Sequence, residues 1–304
     1  LLTKAGIFIC GLWVPNIYSH ANRQSAAILS GCVTCAGVAP IARLSEGMQP
    51  IENSMVVIGV LSAIIAALYA VFERDDGRAL GWSSVSQLGF AILSPSYACI
   101  YAMQHGICKT LLFTTLSSPI QDNESIESAQ SAPTNIPEWL LVSIFVIASL
   151  SIMRLPFTAG FITKTWLKGD IPIEASLITS TSTLLTATVY ARLIWSRCNT
   201  YIKNLEIYKS LDQCKENLLN PQSIVLILSG MLIIGFSFSY QEAYYYNNIQ
   251  SSLAAVVLAS FLYTSVAGLQ TESFVKPVTR TLDLVGAPFV VAALLLANLF
   301  YFKI

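Results

Sequence analysis

Apolar windows of about 18 or more residues follow one another along almost the whole chain, and that succession limits it to one kind of fold. Each window is long enough to cross roughly 30 Å of hydrocarbon as a helix. Backbone N–H and C=O groups find no water there and must be satisfied within the segment, which leaves helices as the reading. Composition agrees: 54% of the 304 residues are hydrophobic, 11% are charged, and the mean hydropathy is +0.62, outside the range of ordinary soluble domains. The expected architecture is all-α, a polytopic membrane helix bundle of about ten transmembrane helices. The spans fall at approximately 1–14, 25–44, 55–72, 79–93, 97–116, 138–167, 174–195, 222–240, 249–269 and 284–302. The span 138–167 is too long for one straight crossing and carries Pro156 and Gly160 at its centre, so it reads as two half-helices around a break. Pro40, with Gly31 and Gly37, interrupts the second span in the same manner.

Basic residues outside the spans test this layout, because the side rich in Lys and Arg usually faces the cytoplasm or its organellar equivalent. Alternating the ends places Arg23, Arg74, Arg78, Arg197, Lys203, Lys209, Lys215, Lys276 and Arg280 on one side and Arg43, Lys168 and Lys303 on the other. The asymmetry supports the count and the orientation. Arg192, near a helix end, reads as a snorkelling side chain. The linker 117–137 is Ser-rich and acidic, and 196–221 is basic and mixed; both read as surface loops, the second able to form a short amphipathic helix. The tyrosines Tyr240, Tyr244, Tyr245 and Tyr246 fit an interfacial belt. The formal net charge is zero, with no basic stripe, which sets nucleic-acid partners aside. Seven cysteines lie mostly in spans and read as packing residues, the Cys32/Cys35 CxxC included; no metal site is expected.

Three lysines, Lys4, Lys109 and Lys164, lie inside the apolar segments, far from any charged loop. An ionisable group in hydrocarbon is costly enough to mark an ion or proton pathway. Between Arg78 and Phe113 the polar groups concentrate. Ser83, Ser84, Ser86 and Gln87 are too many for a lipid-facing surface and are expected to bond across helices or order water. His105 and Lys109 are four residues apart, one turn from each other on one helix face, an arrangement suited to passing a proton.

The same residues carry a resemblance. Asp75 with Arg78, then GWSSVSQLG from Gly81 to Gly89, then HGICKTLLF from His105 to Phe113, is similar in order and spacing to the antiporter-like membrane subunits of complex I (NADH or ferredoxin:quinone oxidoreductases) and of Mrp-type sodium/proton antiporters. Leu2 to Leu44 resembles that family's Lys-bearing helix, a tryptophan-proline-histidine turn (Trp13, Pro15, His20) and the following helix. LPFTAGFITKTWL, from Leu155 to Leu167, resembles its broken helix with a distal lysine. The recognisable coverage is about residues 1–170, an expected ion-translocating core, with 171–304 as C-terminal helices for packing or subunit docking.

The resemblance implies a proton-translocating subunit of a complex I-type oxidoreductase, with a relay of Lys4, His105, Lys109 and Lys164 supported by Ser83, Ser84, Ser86, Gln87, Ser30 and Thr34. It implies partners among other membrane subunits, which would hold the quinone and redox centres. This chain itself has no dinucleotide fingerprint, iron-sulfur cysteine spacing or catalytic site of its own. An Mrp-type sodium/proton exchanger, a proton-coupled inorganic-carbon uptake component and a non-conducting structural subunit share the same residues and stay open. So do three compartments: a bacterial plasma membrane, a thylakoid or an inner mitochondrial membrane. The chain departs from the family pattern at Leu29 and Cys35, where a relay Lys or His is usual, at Asn16 in place of Asp, and at Gly77, where a basic residue is expected. It opens on LLTKAG, which reads as the middle of a helix, so the expectation is the C-terminal two-thirds of an antiporter-like subunit with upstream helices before it. Arg154, just before the break, reads either as a counter-charge to an acidic group or as an anchor.

Overall fold

The helix starts follow local chemistry in the structure, a computed structural model that describes residues 1–116, 136–171, 173–208, 220–238, 240 and 243–267. The first two helices are short, α1 (Leu2–Ala5) and α2 (Trp13–His20). Asn22 caps α3 (Arg23–Ile28), its side chain accepting from Ser25 N at 2.8 Å. A π turn at Leu29–Val33 and a 3-10 turn at Cys35–Gly37 lead into α4 (Val38–Ser45). Prolines sit in the first turn of α5 (Gln49–Phe72), α7 (Pro95–Thr115) and α11 (Pro221–Phe238), where a missing N–H costs nothing. Asp75 caps α6 (Asp76–Ala91) by accepting from Arg78 N at 2.6 Å. The remaining helices are α8 (Glu138–Ile152), α9 (Ala159–Asp170), α10 (Ile173–Tyr208) and α12 (Tyr246–Ala267). No strand occurs among the described residues. Asp75→Ala is expected to destabilise the start of α6 by about 1 kcal/mol, and Asp75→Asn by only a few tenths, because Asn keeps the capping oxygen; thermal melts of the two variants check this.

α6 is the hub. Every residue from Ala79 to Ala91 is buried, with α2, α5, α7 and α10 packed around it. A helix apolar or small on all sides belongs in the interior of a bundle. By length and hydropathy, Arg23–Ser45, Ile51–Phe72 and Pro221–Phe238 are long and apolar enough to cross a membrane. They carry exposed apolar side chains, among them Val57 on the second and Val225, Leu228 and Met231 on the third.

Several expected boundaries move. The span 1–14 is not one helix: α1 stops at Gly6, which takes the left-handed conformation (φ 66). The tryptophan-proline-histidine stretch is helical, as α2. The second span is interrupted where expected: Gly31 lies in the π turn, Gly37 ends the 3-10 turn, and Pro40 follows in the first turn of α4, with the irregular backbone just before it. Gly160 is not in the break itself. It is inside α9, and a Cβ there would meet the Ser151 carbonyl oxygen at 1.8 Å, so the glycine lets α8 and α9 touch. Pro156 does lie in the break, between Ile152 and Ala159. The linker expected from 196 is helix as far as Tyr208, within a 36-residue α10. The span 284–302 and residues 117–135 lie outside the described residues. Of the tyrosines, Tyr244 stacks on Phe157 and Phe161 and Tyr240 meets Trp166 edge-on at 4.8 Å, which ties α9 to the segment before α12; Tyr245 and Tyr246 face outward.

Polar contacts collect at two rims. At one, Arg78 pairs with Glu73 at 3.0 Å and donates to Asn16 Oδ1 at 2.7 Å, while Glu73 Oε1 accepts from the backbone N–H of Arg74 and Asp75. Arg192 does not snorkel: it donates to the Glu73 carbonyl and lies 3.8 Å from Asp76, drawing α10 onto the α5–α6 turn. Arg197 pairs with Glu138 at 2.7 Å. Gly77 abuts the Ser19 backbone, 3.2 Å from where a Cβ would stand, so any side chain there would need the end of α2 to give by a few tenths of an ångström. At the other rim, Ser94 donates to Asp170 and Lys168 donates to Ser180 at 2.8 Å.

Candidate functional site

Lys109 is fully buried on α7, and its amine donates to the main-chain carbonyl of Leu80 on α6 at 2.7 Å. It stands 5.5 Å from the centroid of the Tyr190 ring on α10. Lys164, 2% exposed on α9, donates to the carbonyl of Ile152 at 2.9 Å and lies 5.9 Å from the Phe90 ring centroid. Ile152 is the last residue of α8, where carbonyls have no helical N–H to accept and the helix dipole is negative. An ammonium is well placed there. His105 lies on α7 one turn from Lys109.

His105 is 1% exposed, its ring stacked over Tyr101 at 6.2 Å between centroids. Neither ring nitrogen has a hydrogen-bond partner among the described residues. An imidazole buried in that condition carries a desolvation penalty of about 1–3 kcal/mol, which ordered water or a proton-transfer partner would relieve.

Hydroxyls and amides tie these groups to four helices. Tyr101 donates to Gln87 Oε1, and Gln87 Nε2 donates to Thr186 Oγ1 at 2.9 Å. Ser83 and Tyr190 share a hydrogen bond of 3.0 Å. Ser86 and Ser182 both donate to the Ala63 carbonyl, at 2.7 and 2.8 Å. Ser84 donates to the Leu80 carbonyl, the acceptor that Lys109 also uses, and its hydroxyl lies 3.5 Å from Ser30. Thr34 and Cys35 both donate to the Ser30 carbonyl, the π turn having freed that oxygen for side chains. Toward the break, Gln104 Nε2 donates to Ser151 Oγ at 3.0 Å, and Ser151 Oγ accepts from Gly160 N at 3.1 Å.

The geometry thus brings His105, Lys109, Lys164, Ser83, Ser84, Ser86, Gln87, Ser30 and Thr34 into one buried region. Lys4 is different. It lies on α1 and is exposed. Cys35 is buried and Cys32 exposed, so the two differ in surroundings. Sequence reasoning missed Tyr101, Gln104, Ser151, Ser182, Thr186 and Tyr190. A signal existed: Ser182, Thr186 and Tyr190 recur every four residues on an apolar helix, and Tyr101 precedes His105 by four. The polar core therefore runs past residue 170 into α10.

A bundle of apolar helices, one of them interrupted between α8 and α9, with amines buried against main-chain carbonyls, fits a polytopic membrane protein, and the chain belongs to the transmembrane family described as NADH:quinone oxidoreductase/Mrp antiporter, which it matches over residues 1–194. That match takes in most of α10. Among curated relatives, NADH-ubiquinone oxidoreductase chain 5 of Metridium senile is 26% identical over 249 residues, covering 74% of this chain and 40% of the relative. NADH-quinone oxidoreductase subunit N of Buchnera aphidicola subsp. Acyrthosiphon pisum (strain APS) is 26% identical over 266 residues, covering 77% of this chain and 52% of the relative. The chain spans about half, or less, of the length of these relatives. In fold it is similar to a chain of the membrane-bound sulfane sulfur reductase, an archaeal respiratory membrane complex, with a TM-score of 0.60 at 19% identity over 87% of this chain and 55% of that one. A chain of the Mrp complex from Dietzia sp. DQ12-45-1b superposes with a TM-score of 0.58 at 17% identity, over 88% of this chain and 59% of that one. The protein is an integral membrane protein.

Proposed function

We propose that the chain is a proton-translocating membrane subunit of a multisubunit complex of the complex I type, moving protons through a buried relay of His105, Lys109 and Lys164. The observation that carries this reading is the pair of buried amines, each held by a main-chain carbonyl, with a buried imidazole one turn from Lys109 that has no hydrogen-bond partner among the described residues. Groups so placed are costly in a membrane, which makes an ion pathway the first hypothesis for them. The names of the relatives, NADH-ubiquinone oxidoreductase chain 5 and NADH-quinone oxidoreductase subunit N, support a redox-driven complex, and on this proposal its quinone and redox centres are assigned to partner subunits.

The relay works by charge displacement. A proton arriving on one amine raises the electrostatic energy of a proton on its neighbour, so loading one site unloads the next. Serines, Gln87 and Thr186 hold orientation and provide bonding sites for water along the way. Tyr190 lies beside Lys109 with its hydroxyl fixed by Ser83, which keeps α10 in register with the amine.

The test is proton flux in proteoliposomes holding the intact parent complex. Lys109→Ala is expected to lower flux at least about tenfold with assembly unchanged. Unchanged flux would leave the chain a scaffold. Flux that requires sodium would move it from the redox-driven class to the Mrp-type exchangers.

A further inference from the structure

Arg154 occupies a place that helix geometry assigns to glycine. The end of α8 is a Schellman motif: Leu155 N bonds Leu150 O at 3.0 Å, Arg154 N bonds Ser151 O at 3.1 Å, and Arg154 is left-handed with φ 69. An arginine in that conformation is strained by its Cβ, so something other than the turn keeps it there.

Its side chain is costly as well. Arg154 is 6% exposed, Nη2 donates to Thr165 Oγ1 at 3.0 Å, the guanidinium carbon is 5.7 Å from the Phe161 ring centroid, and Nε has no partner among the described residues. Arg78, Arg192 and Arg197 each lie within 4 Å of a carboxylate oxygen. Arg154 has none within ion-pair distance among the described residues, where it stands as a permanent cation without a paired acid. Its carbonyl accepts from the Ser252 hydroxyl, which fixes the strained residue against α12.

That cation contacts the residue next to Lys164. Two opposed influences therefore meet at one amine: the carbonyl end of α8 attracts the ammonium, and the guanidinium repels it. Among the described residues, the other titratable groups near Lys164 or the guanidinium include His105 and Cys108 from α7 and Lys168 from α9, none of them an acid of carboxylate strength. Building on the proton-relay reading, we propose that Arg154 is a fixed cation that makes Lys164 give up its proton, a positioning residue for release. In that step the Lys164 ammonium loses one proton to water, the N–H electron pair stays on nitrogen as the amine lone pair, and the neutral amine keeps an N–H for the Ile152 carbonyl.

Arg154→Gly separates this role from a structural one, because glycine relieves the left-handed turn while removing the charge. In proteoliposomes of the parent complex, Arg154→Gly is expected to assemble and melt no lower than wild type, while proton flux per complex falls at least about tenfold. Arg154→Lys, which keeps the charge and loses the planar fork, is expected to retain flux within about threefold. The proposal is overturned if Arg154→Gly conducts as wild type does, or if Arg154→Lys is as impaired as the glycine form. Arg154→Asn, which tolerates the left-handed turn, is the second neutral variant. Failure of both neutral variants to assemble overturns the proposal too, by making the guanidinium a structural brace. Lys109→Ala in the same vesicles separates the two readings. If it conducts normally the relay itself is wrong; if it fails while Arg154→Gly conducts, only the role of Arg154 is wrong.

Discussion

Gly160→Ala is expected to abolish proton flux, roughly a hundredfold or more, and to lower the yield of assembled complex. The Cβ it adds would stand 1.8 Å from the Ser151 carbonyl oxygen and 2.7 Å from its carbon, both backbone atoms that cannot rotate aside. Restoring ordinary van der Waals separation needs α9 to move roughly 1.5 Å or more from α8. That movement breaks the bond from Gly160 N to Ser151 Oγ and draws Lys164 away from the Ile152 carbonyl. Flux and assembly measured on one preparation check this, and a glycine-to-alanine variant that conducts normally would show that the α8–α9 contact does not position the amine.

Glu73→Ala has the second large effect, on stability. Glu73 holds Arg78 by its side chain, accepts from two backbone N–H groups at the α5–α6 turn, and through its carbonyl receives Arg192 from α10. Removing the carboxylate leaves Arg78 half-buried with Asn16 as its side-chain acceptor. Deleting one partner of a buried pair costs about 3–5 kcal/mol, and some water access at Arg78 brings the expectation to about 2–4 kcal/mol. Glu73→Gln, which can still accept from the turn, is expected to lose less than half as much. Thermal melts of the assembled complex compare them. Equal melting of the alanine form and wild type would mean that the rim is held by packing alone.

What could be read beforehand was set by chemistry that a bilayer makes conspicuous. Lys109 and Lys164 stand out because charge is rare in apolar segments, and Pro156 marked a break because a proline in a helix removes a hydrogen bond. Lys4 had the same signature and is exposed, since burial depends on neighbours that hydropathy does not name. Gly160 looked like part of the break because glycine weakens helices, yet its function is close approach, a property of two helices jointly. Tyr190 and Thr186 went unnoticed because a tyrosine or threonine in an apolar helix is ordinary until the facing residue is known. Arg154 could be noticed but not understood from sequence, because its left-handed backbone and its burial are facts of three dimensions.

The acceptors in the buried region are largely not side chains. Lys109 rests on the carbonyl of Leu80, Lys164 on that of Ile152, Cys35 on that of Ser30, and Ser86 with Ser182 on that of Ala63. Exchanging Leu80, Ile152 or Ala63 for another residue leaves each oxygen in place as long as the helix persists. Genetics can therefore silence the donors of this protein one by one and still pass over half of its polar core. That half is written in the course of the main chain, open to isotope-edited carbonyl spectroscopy but closed to a mutational scan.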